Sequence, residues 1–383
     1  MATSKQPATV TATTPPRPPV RDLPEPDQKR REAFAGRLFQ AGMQLLELNA
    51  VYLGRRLGYY EALEKGGPAT AAELAKRTNT HPRYAREWLE QQAVAGILDV
   101  AKPSADGQKR SYALPPAHAE VVLDAESLCF LGFMADYSAA VPPLLPKIEK
   151  AFRTGVGFPW TDFGALGWQA QAAQNRPFFT HQFAQQYVAK IPAVAERLGR
   201  PGARVLDIAC GAGWSSLGLA RAFPGVLVDG VDLDREAIAA AKKQAEREGL
   251  EGRVSFHARD AADLDGKNRY DLVTIVEALH DMAQPVKVLA TARQKLAPGG
   301  SVLVVDERVQ ETFTAPGPAP ERFFYAASLV VCLPNGMTEP TSAATGTVMR
   351  PATLESYAKK AGFGGFEVLP LEHEFFRFYR LTA

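Results

Sequence analysis

From residue 203 to about residue 307 the chain alternates between two kinds of segment, and this restricts its fold more than any other feature. RVLDIA, GVLVDGVDL, VSFHARD, DLVTIVEAL and SVLVVDERV are rich in β-branched residues, which suit a pleated, packed surface. Between them stand SSLGLARAF, REAIAAAKKQAEREGL and PVKVLATARQKLAPGG, whose apolar residues recur with helical spacing. Strands joined by helices of this length form crossover units, so the expected fold class is α/β, with a Rossmann-like parallel sheet covered on both faces. Ligands of such sheets bind beyond the carboxyl ends of the strands, where the strand order reverses. The C-terminal FEVLPLEHEFFRFYRLTA reads as a hairpin that supplies a last, antiparallel strand.

The preceding half is organised differently. Residues 1–30 include the Pro/Thr-rich MATSKQPATVTATTPPRPPV and are expected to form a disordered tail. Residues 31–125 read as a winged-helix or dimerisation domain. One or two buried helices are expected to carry Phe39, Met43, Leu46, Val51, Leu53 and Leu57. Thr70 and Glu73 make a T-x-x-E capping box, Asn79–Thr80 a turn, and Pro82 opens a helix taking Tyr84, Trp88, Leu89 and Val94 to a core. GILDV and SYALP then form the wing. On that second helix Arg83 and Arg86 are offset by Glu87 and Glu90, whereas a DNA-reading helix needs a basic face. A packing role and a homodimer are therefore expected, and DNA binding is not. Residues 126–200 form a helical connector whose many aromatic residues suit the wall of an acceptor pocket.

Composition narrows the setting. With 383 residues and 46% hydrophobic content the chain can build a sizeable core, and a net charge of +2 gives no global field for nucleic acid or membrane. Three widely spaced cysteines argue against a disulfide framework. No run approaches the ~18 apolar residues of a membrane span, and the start lacks the apolar segment of a signal peptide. A cytoplasmic protein without membrane contact is expected.

The stretch VLDIACGAGWSS, residues 205–216, lies at the end of the first strand of the alternating region. Nicotinamide dinucleotides and S-adenosylmethionine compete for such a place. A dinucleotide requires G-x-G-x-x-G around its pyrophosphate. Here Gly211 and Gly213 are followed by Ser216, and Asp207 stands ahead of the turn, where it would repel a pyrophosphate. A ligand bearing an ammonium and a sulfonium would gain from that carboxylate, directly or through water. Asp232, ending the second strand, is placed to accept both ribose hydroxyls. Asp260, ending the third, is placed to accept from an adenine amino group, with the Ala261 N–H facing the ring. Leu233 and Glu277 complete the expected cofactor contacts. Asp234 and Asp263 read as helix-capping loop carboxylates.

These segments resemble the class I S-adenosylmethionine-dependent methyltransferases, through VLDIACGAG, GVDLD, RDAAD, YDLVTIVEALHD and LAPGGSVLVVDE. The resemblance covers about residues 203–310. With the winged helix included, the ordered chain is similar to bacterial winged-helix methyltransferases and, more distantly, to plant and polyketide O-methyltransferases. One departure is Ala209, where many relatives carry a glycine. The resemblance implies a seven-stranded sheet across residues 201–383, with S-adenosylmethionine as cofactor and S-adenosylhomocysteine as product. The segment 312–350 is an insertion with the place and apolar character of a wall of the acceptor pocket; Glu339, Thr345 or Arg350 could meet the acceptor, while a solvated loop is the favoured reading for each.

It also implies a general base at His280, followed by Asp281, with Glu307 as the acid that steadies the imidazole. Asp306 falls on the opposite face if the strand continues. The other five histidines show no metal-ligand spacing, and no metal is expected. The expected activity is methylation of a small aromatic or apolar, natural-product-type acceptor of secondary metabolism, at oxygen. The alternatives are an N- or C-methyltransferase acting by proximity, or a winged-helix regulator that binds S-adenosylmethionine. An NAD-dependent oxidoreductase is disfavoured by Ser216 and Asp207.

Overall fold

The computed structural model describes residues 23–266 and 269–383, so most of the expected tail lies outside the described residues. Two compact units make up the chain, one ending at Glu47 and the other spanning Leu48–Ala383. The first is occupied by helix α1 (Glu25–Arg56), which opens with Glu25 and Asp27 at its N-terminus, where negative charge is favoured. Residues 25–30, expected in the tail, are already helical. Phe39, Met43 and Leu46 are exposed, as are Phe34 and Leu38. The expectation of burial fails for them because, among the described residues, this unit offers no second element to pack against.

In the second unit, α2 (Tyr59–Gly66), β1 (Ala69–Thr70), α3 (Ala71–Thr78), α4 (Pro82–Val94), β2 (Asp99–Lys102), β3 (Ser111–Ala113) and α5 (Pro116–Leu123) form the winged helix. The three strands pair in the order β1-β3-β2. The capping box forms in both directions between Thr70 and Glu73. Asn79 ends α3 in the left-handed region, at φ 53°, a conformation asparagine tolerates. Trp88 and Leu89 are buried, and the Trp88 indole donates to Ala50 O at 2.8 Å. Tyr84 and Val94, expected beside them, are 77% and 90% exposed. Both lie on the flank of α4 turned away from the tyrosine and leucine core.

The connector holds α6 (Gly132–Ala140), α7 (Leu145–Thr154), α8 (Gly164–Phe178), a π-helical turn over Phe179–Tyr187, and α9 (Pro192–Leu198). Beyond it come β4 (Arg204–Ile208), α10 (Trp214–Ala222), β5 (Leu227–Asp232), α11 (Arg235–Arg247), β6 (Val254–Ala258), β7 (Tyr270–Val276), α12 (Pro285–Lys295) and β8 (Leu296–Glu307). The insertion carries α13 (Ala319–Ala327) and α14 (Leu333–Gly336), and the chain ends in α15 (Pro351–Lys360), β9 (Gly365–Val368) and β10 (Phe376–Thr382). The seven strands run in the order β6-β5-β4-β7-β8-β10-β9. All neighbours from β6 to β8 are parallel, and β10 is antiparallel to both β8 and β9. Val205, Leu206, Ile208, Leu272, Val273 and Ile275 are buried on the two faces of the central pair, as a doubly covered parallel sheet requires.

The order reverses between β4 and β7, where Ile208 lies beside Ile275. The turn leaving β4 there is strained. Ala209, Gly211 and Gly213 all have left-handed backbone, at φ 57°, 52° and 82°. At Gly213 a Cβ would stand 2.5 Å from the Phe256 ring and 2.9 Å from Ala241 Cβ. At Gly211 it would meet nothing within 4 Å, which leaves room for a ligand against the backbone. Ala209 explains why a glycine suits its position, since its Cβ makes φ 57° costly. Replacing Ala209 by Gly should raise unfolding stability by about 0.5–1 kcal/mol, seen as a higher denaturant midpoint at constant slope. A lower midpoint would show that the packed methyl group outweighs the relieved strain.

Candidate active site

Asp207 lies at 1% exposure in β4, and its carboxylate is fully engaged. Oδ2 accepts from the hydroxyls of Ser215 and Ser216 at 2.5 and 2.6 Å, and Oδ1 accepts from Thr274 at 2.7 Å. Burial pushes its pKa up, and the three hydroxyl donors counter that rise. These three donors give Asp207 a structural role at the switch point. Asp207 ties the first turn of α10 and the middle of β7 to β4. Ser216, in the third position of the glycine pattern, faces this carboxylate rather than a ligand.

Asp232 supports the same turn from the next strand. Its Oδ2 accepts from Gly211 N and its Oδ1 from Asp234 N, both at 2.8 Å. A carboxylate oxygen has two lone pairs, so each retains one for a ligand hydroxyl. Leu233 is 69% exposed and presents an apolar side chain at the strand end. Asp260 is exposed, and its Oδ1 accepts from Ala262 N at 2.8 Å as it caps the short turn beginning at Ala261. Asp234 caps α11 through Glu236 N and Ala237 N, and Asp263 pairs with Lys287 at 2.7 Å. The open backbone of Gly211, the spare acceptors of Asp232 and the bare Leu233 fit an adenosine-bearing ligand.

A second group of polar residues collects at the end of β7. His280 is 2% exposed. Its Nδ1 lies 2.9 Å from Asp306 Oδ1 and 3.1 Å from Glu307 Oε2. Both acids thus reach one nitrogen, contrary to the expectation of opposite faces. Both belong to β8, and Glu307, its last residue, turns its N–H back to Asp306 Oδ1 at 3.1 Å. Burial works to lower the imidazole pKa, but Asp306 and Glu307 more than offset it and hold it well above the ordinary value. Cys332 adds a hydrogen bond to the ring. Asp281 accepts from Asn335 Nδ2 at 3.1 Å, and burial raises its pKa to about 6.

Glu277 stands at the start of this group with a left-handed backbone, at φ 49°. Asn175 of α8 hydrogen-bonds its carboxylate, whose Oε2 is buried without a partner. The insertion reaches the group through Asn335 and reaches the connector through Gly157 N, which donates to Met337 O at 2.8 Å. Its other expected polar groups are engaged elsewhere. Arg350 pairs with Glu321 at 3.1 Å, Thr345 shares a hydrogen bond with the Tyr357 hydroxyl at 2.8 Å, and Glu339 accepts from Gln284 at 3.1 Å. Among the described residues, two triads sharing His280 have donor atoms close enough to hold a metal: His280–Asp281–Cys332 and His280–Asp306–Glu307.

Residues 200–331 match the family described as a methyltransferase domain, and residues 48–123 match an Rv2258c-like winged HTH domain. The chain therefore carries a methyltransferase domain behind a winged-helix domain. Its transferase region is similar to the ubiquinone biosynthesis O-methyltransferase of Aromatoleum aromaticum, with 29% identity over 46% of this chain and 70% of that protein. The first curated relatives differ in extent: an uncharacterised Synechococcus protein, 36% identical, is matched over 28% of this chain and only 25% of its own length. In fold, the methyltransferase is like the mitomycin 7-O-methyltransferase MmcR, with TM-score 0.66 and 20% identity over 93% of this chain and 99% of that one. It is equally like PigF bound to S-adenosylhomocysteine, with TM-score 0.67 and 20% identity over 94% and 100% of the two chains. The cofactor of such a methyltransferase is S-adenosylmethionine.

The methyltransferase site contains residues that the motifs do not reveal. Ser215, Ser216 and Thr274 are recognisable only once Asp207 is known to be buried, although two hydroxyls directly after the glycines are a signal. Tyr137, Asn175, Cys332 and Asn335 come from the connector and the insertion and have no sequence mark. In this methyltransferase Asp232→Ala should weaken S-adenosylhomocysteine binding about tenfold to a hundredfold, measured by calorimetry. Asp232→Asn, which keeps an acceptor for the Gly211 amide, should fall between; unchanged affinity in both would remove Asp232 from the ribose site.

Proposed function

We propose that the protein methylates an oxygen of a small aromatic or apolar acceptor, with His280 as general base. The observation that carries this reading is a buried imidazole at the switch point with two carboxylates on one nitrogen, next to a glycine turn open on its ligand side. Bound S-adenosylmethionine would supply a methyl group on a sulfonium for in-line displacement. Gly211, Asp232, Leu233, Asp260 and Ala261 would hold it, and Gly213 would keep the turn close to the sheet. The chain's own contribution is then alignment, exclusion of water and removal of the acceptor proton. Alignment is the larger effect, at about 7–11 kcal/mol.

His280 takes the proton while Asp306 and Glu307 fix its ring and favour the imidazolium that results. Asp281 anchors the short turn carrying His280 to Asn335. The insertion meets this turn through Asn335 and meets the connector through Met337. A methyltransferase working by proximity at nitrogen or carbon would not need so elaborate a support for one imidazole. For the winged helix, ion pairs Arg83–Glu87 and Arg86–Glu90 favour packing or dimerisation over DNA. No described helix is long and apolar enough to cross a membrane, and three unpaired cysteines support a reducing, cytoplasmic setting.

Changing His280 to Ala should lower turnover about 10²–10⁴-fold while S-adenosylhomocysteine affinity stays within about twofold. Unchanged turnover would favour proximity alone. Because the imidazole pKa is raised, His280 carries its proton at neutral pH in the free protein and becomes a base as pH rises. The log of kcat/KM should therefore climb along a limb displaced above ~6.5, and Asp306→Asn should move that limb to lower pH. A limb that stays in place would assign it to another group. Prolonged dialysis against EDTA should leave turnover intact, as direct imidazole–carboxylate bonding requires; loss restored by a divalent metal would convert the His280 triads into a metal site.

A further inference from the structure

We propose that Glu277 recognises the acceptor, and that the acceptor brings a protonated nitrogen to this carboxylate while its oxygen meets His280. This deepens the reading of the site as an O-methyltransferase and rests on it. The nitrogen is a handle and is not methylated.

The backbone gives the first argument. Glu277 is neither glycine nor asparagine, yet it occupies φ 49°, a costly conformation for a residue with a Cβ. Its N–H donates to Val305 O at 2.8 Å, pinning the kink to β8. Strain of this kind persists where surrounding structure holds a side chain in a required place. Nothing in the local fold asks for a carboxylate there.

The second argument is charge. Glu277, Asp281, Asp306 and Glu307 gather around a single base, His280. The charged groups acting on Glu277 are Glu307, of like sign, and His280, which Asp306 and Glu307 already engage. The other neighbours are neutral: Asn175, the Tyr137 hydroxyl, and beyond them Cys332. Glu277 Oε2 is buried and receives no hydrogen bond. A buried carboxylate oxygen without a donor is a large penalty that a ligand's N–H⁺ removes. Burial first, and then Glu307, push the Glu277 carboxyl to about 8, so an arriving cation would also expel a proton.

The third argument is position. Asn175 lies one helical turn beyond Gln171 on α8, and Gln171 accepts from the Tyr137 hydroxyl of α6. Glu277 thus meets the connector, whereas Gly211 and Asp232 meet each other at the ends of β4 and β5. Glu277, first expected among the cofactor contacts, belongs with the acceptor side.

The test uses full-length protein saturated with S-adenosylhomocysteine, so that cofactor binding is read first. Pairs of phenols and naphthols are then titrated, each bearing either an aminoethyl arm or an uncharged propyl arm of similar size. The wild type should bind at least one amine about tenfold more tightly than its partner, and heats in buffers of different ionisation enthalpy should show proton release. Glu277→Gln should melt like the wild type, retain S-adenosylhomocysteine affinity and bind both members of the pair equally, without proton release. Three results would overturn the inference: no amine preference for any wild-type pair, a preference that survives Glu277→Gln, or a Glu277→Gln variant that loses cofactor affinity and keeps the preference. Failure of the wild type to bind S-adenosylhomocysteine would instead sink the methyl-transfer reading itself.

Discussion

Asp207 sits inside the sheet with three hydroxyls on its two oxygens, and the geometry of the switch point depends on this knot. Each donor comes from a different part of the site. Thr274 belongs to β7, which leads to Glu277 and His280, while Ser215 and Ser216 open the helix behind the glycine turn. An unpaired carboxylate at that depth would be expensive, so the three donors must be present together. Once they are, the register of β4 against β7 and the start of α10 are set by one group. The turn between them then has little freedom, and its left-handed residues follow from having to leave the strand and enter the helix within five positions.

Above this knot the two halves of the site use carboxylates in different ways. On the β4–β5 side Asp232 accepts backbone amides, which favour its charged form, while burial outweighs them and raises its pKa above the ordinary value. On the β7–β8 side carboxylates face one another across His280, so each raises the proton affinity of its neighbours. Glu307, at about 7, and Glu277, at about 8, have pKa values near working pH. Protons there are exchanged within a group rather than held by one residue. Such a group can give up or take in a proton when a ligand changes the local charge.

The sheet was legible because period-two strands and amphipathic helices alternate without ambiguity, and the capping box at Thr70 was legible because it is local. The glycine turn and the acids at successive strand ends could be found for the same reason. What could not be read were contacts made by residues distant in sequence. Asp207 looked like a ligand carboxylate because the hydroxyl of Thr274 is 67 residues away. Asp306 looked set apart from the imidazole because strand alternation was carried through Glu307, the last residue of β8, where both acids reach His280. Tyr84 and Val94 looked buried because helical spacing gives a face without saying which faces are covered.

The acceptor side was the least legible part, and the reason lies in how the chain is divided. The groups proposed to hold the cofactor fall within residues 200–331, the matched methyltransferase domain, where short spacings between strand ends are imposed by the sheet. The groups around Glu277 do not share that frame: Tyr137 and Asn175 precede it, and Asn335 follows it. A relative matched over the transferase domain alone therefore constrains the methyl donor and leaves the methyl acceptor free. Changing α6, α8 or the insertion would alter what surrounds the β7 end without disturbing Asp207 or Asp232. The side chain at position 277 is the exception, because it sits at the switch point, on the strand end pinned to β8, and meets Asn175 of the connector. A single carboxylate there sets the charge at the β7 end without entering the hydrogen bonds that Asp207 and Asp232 make.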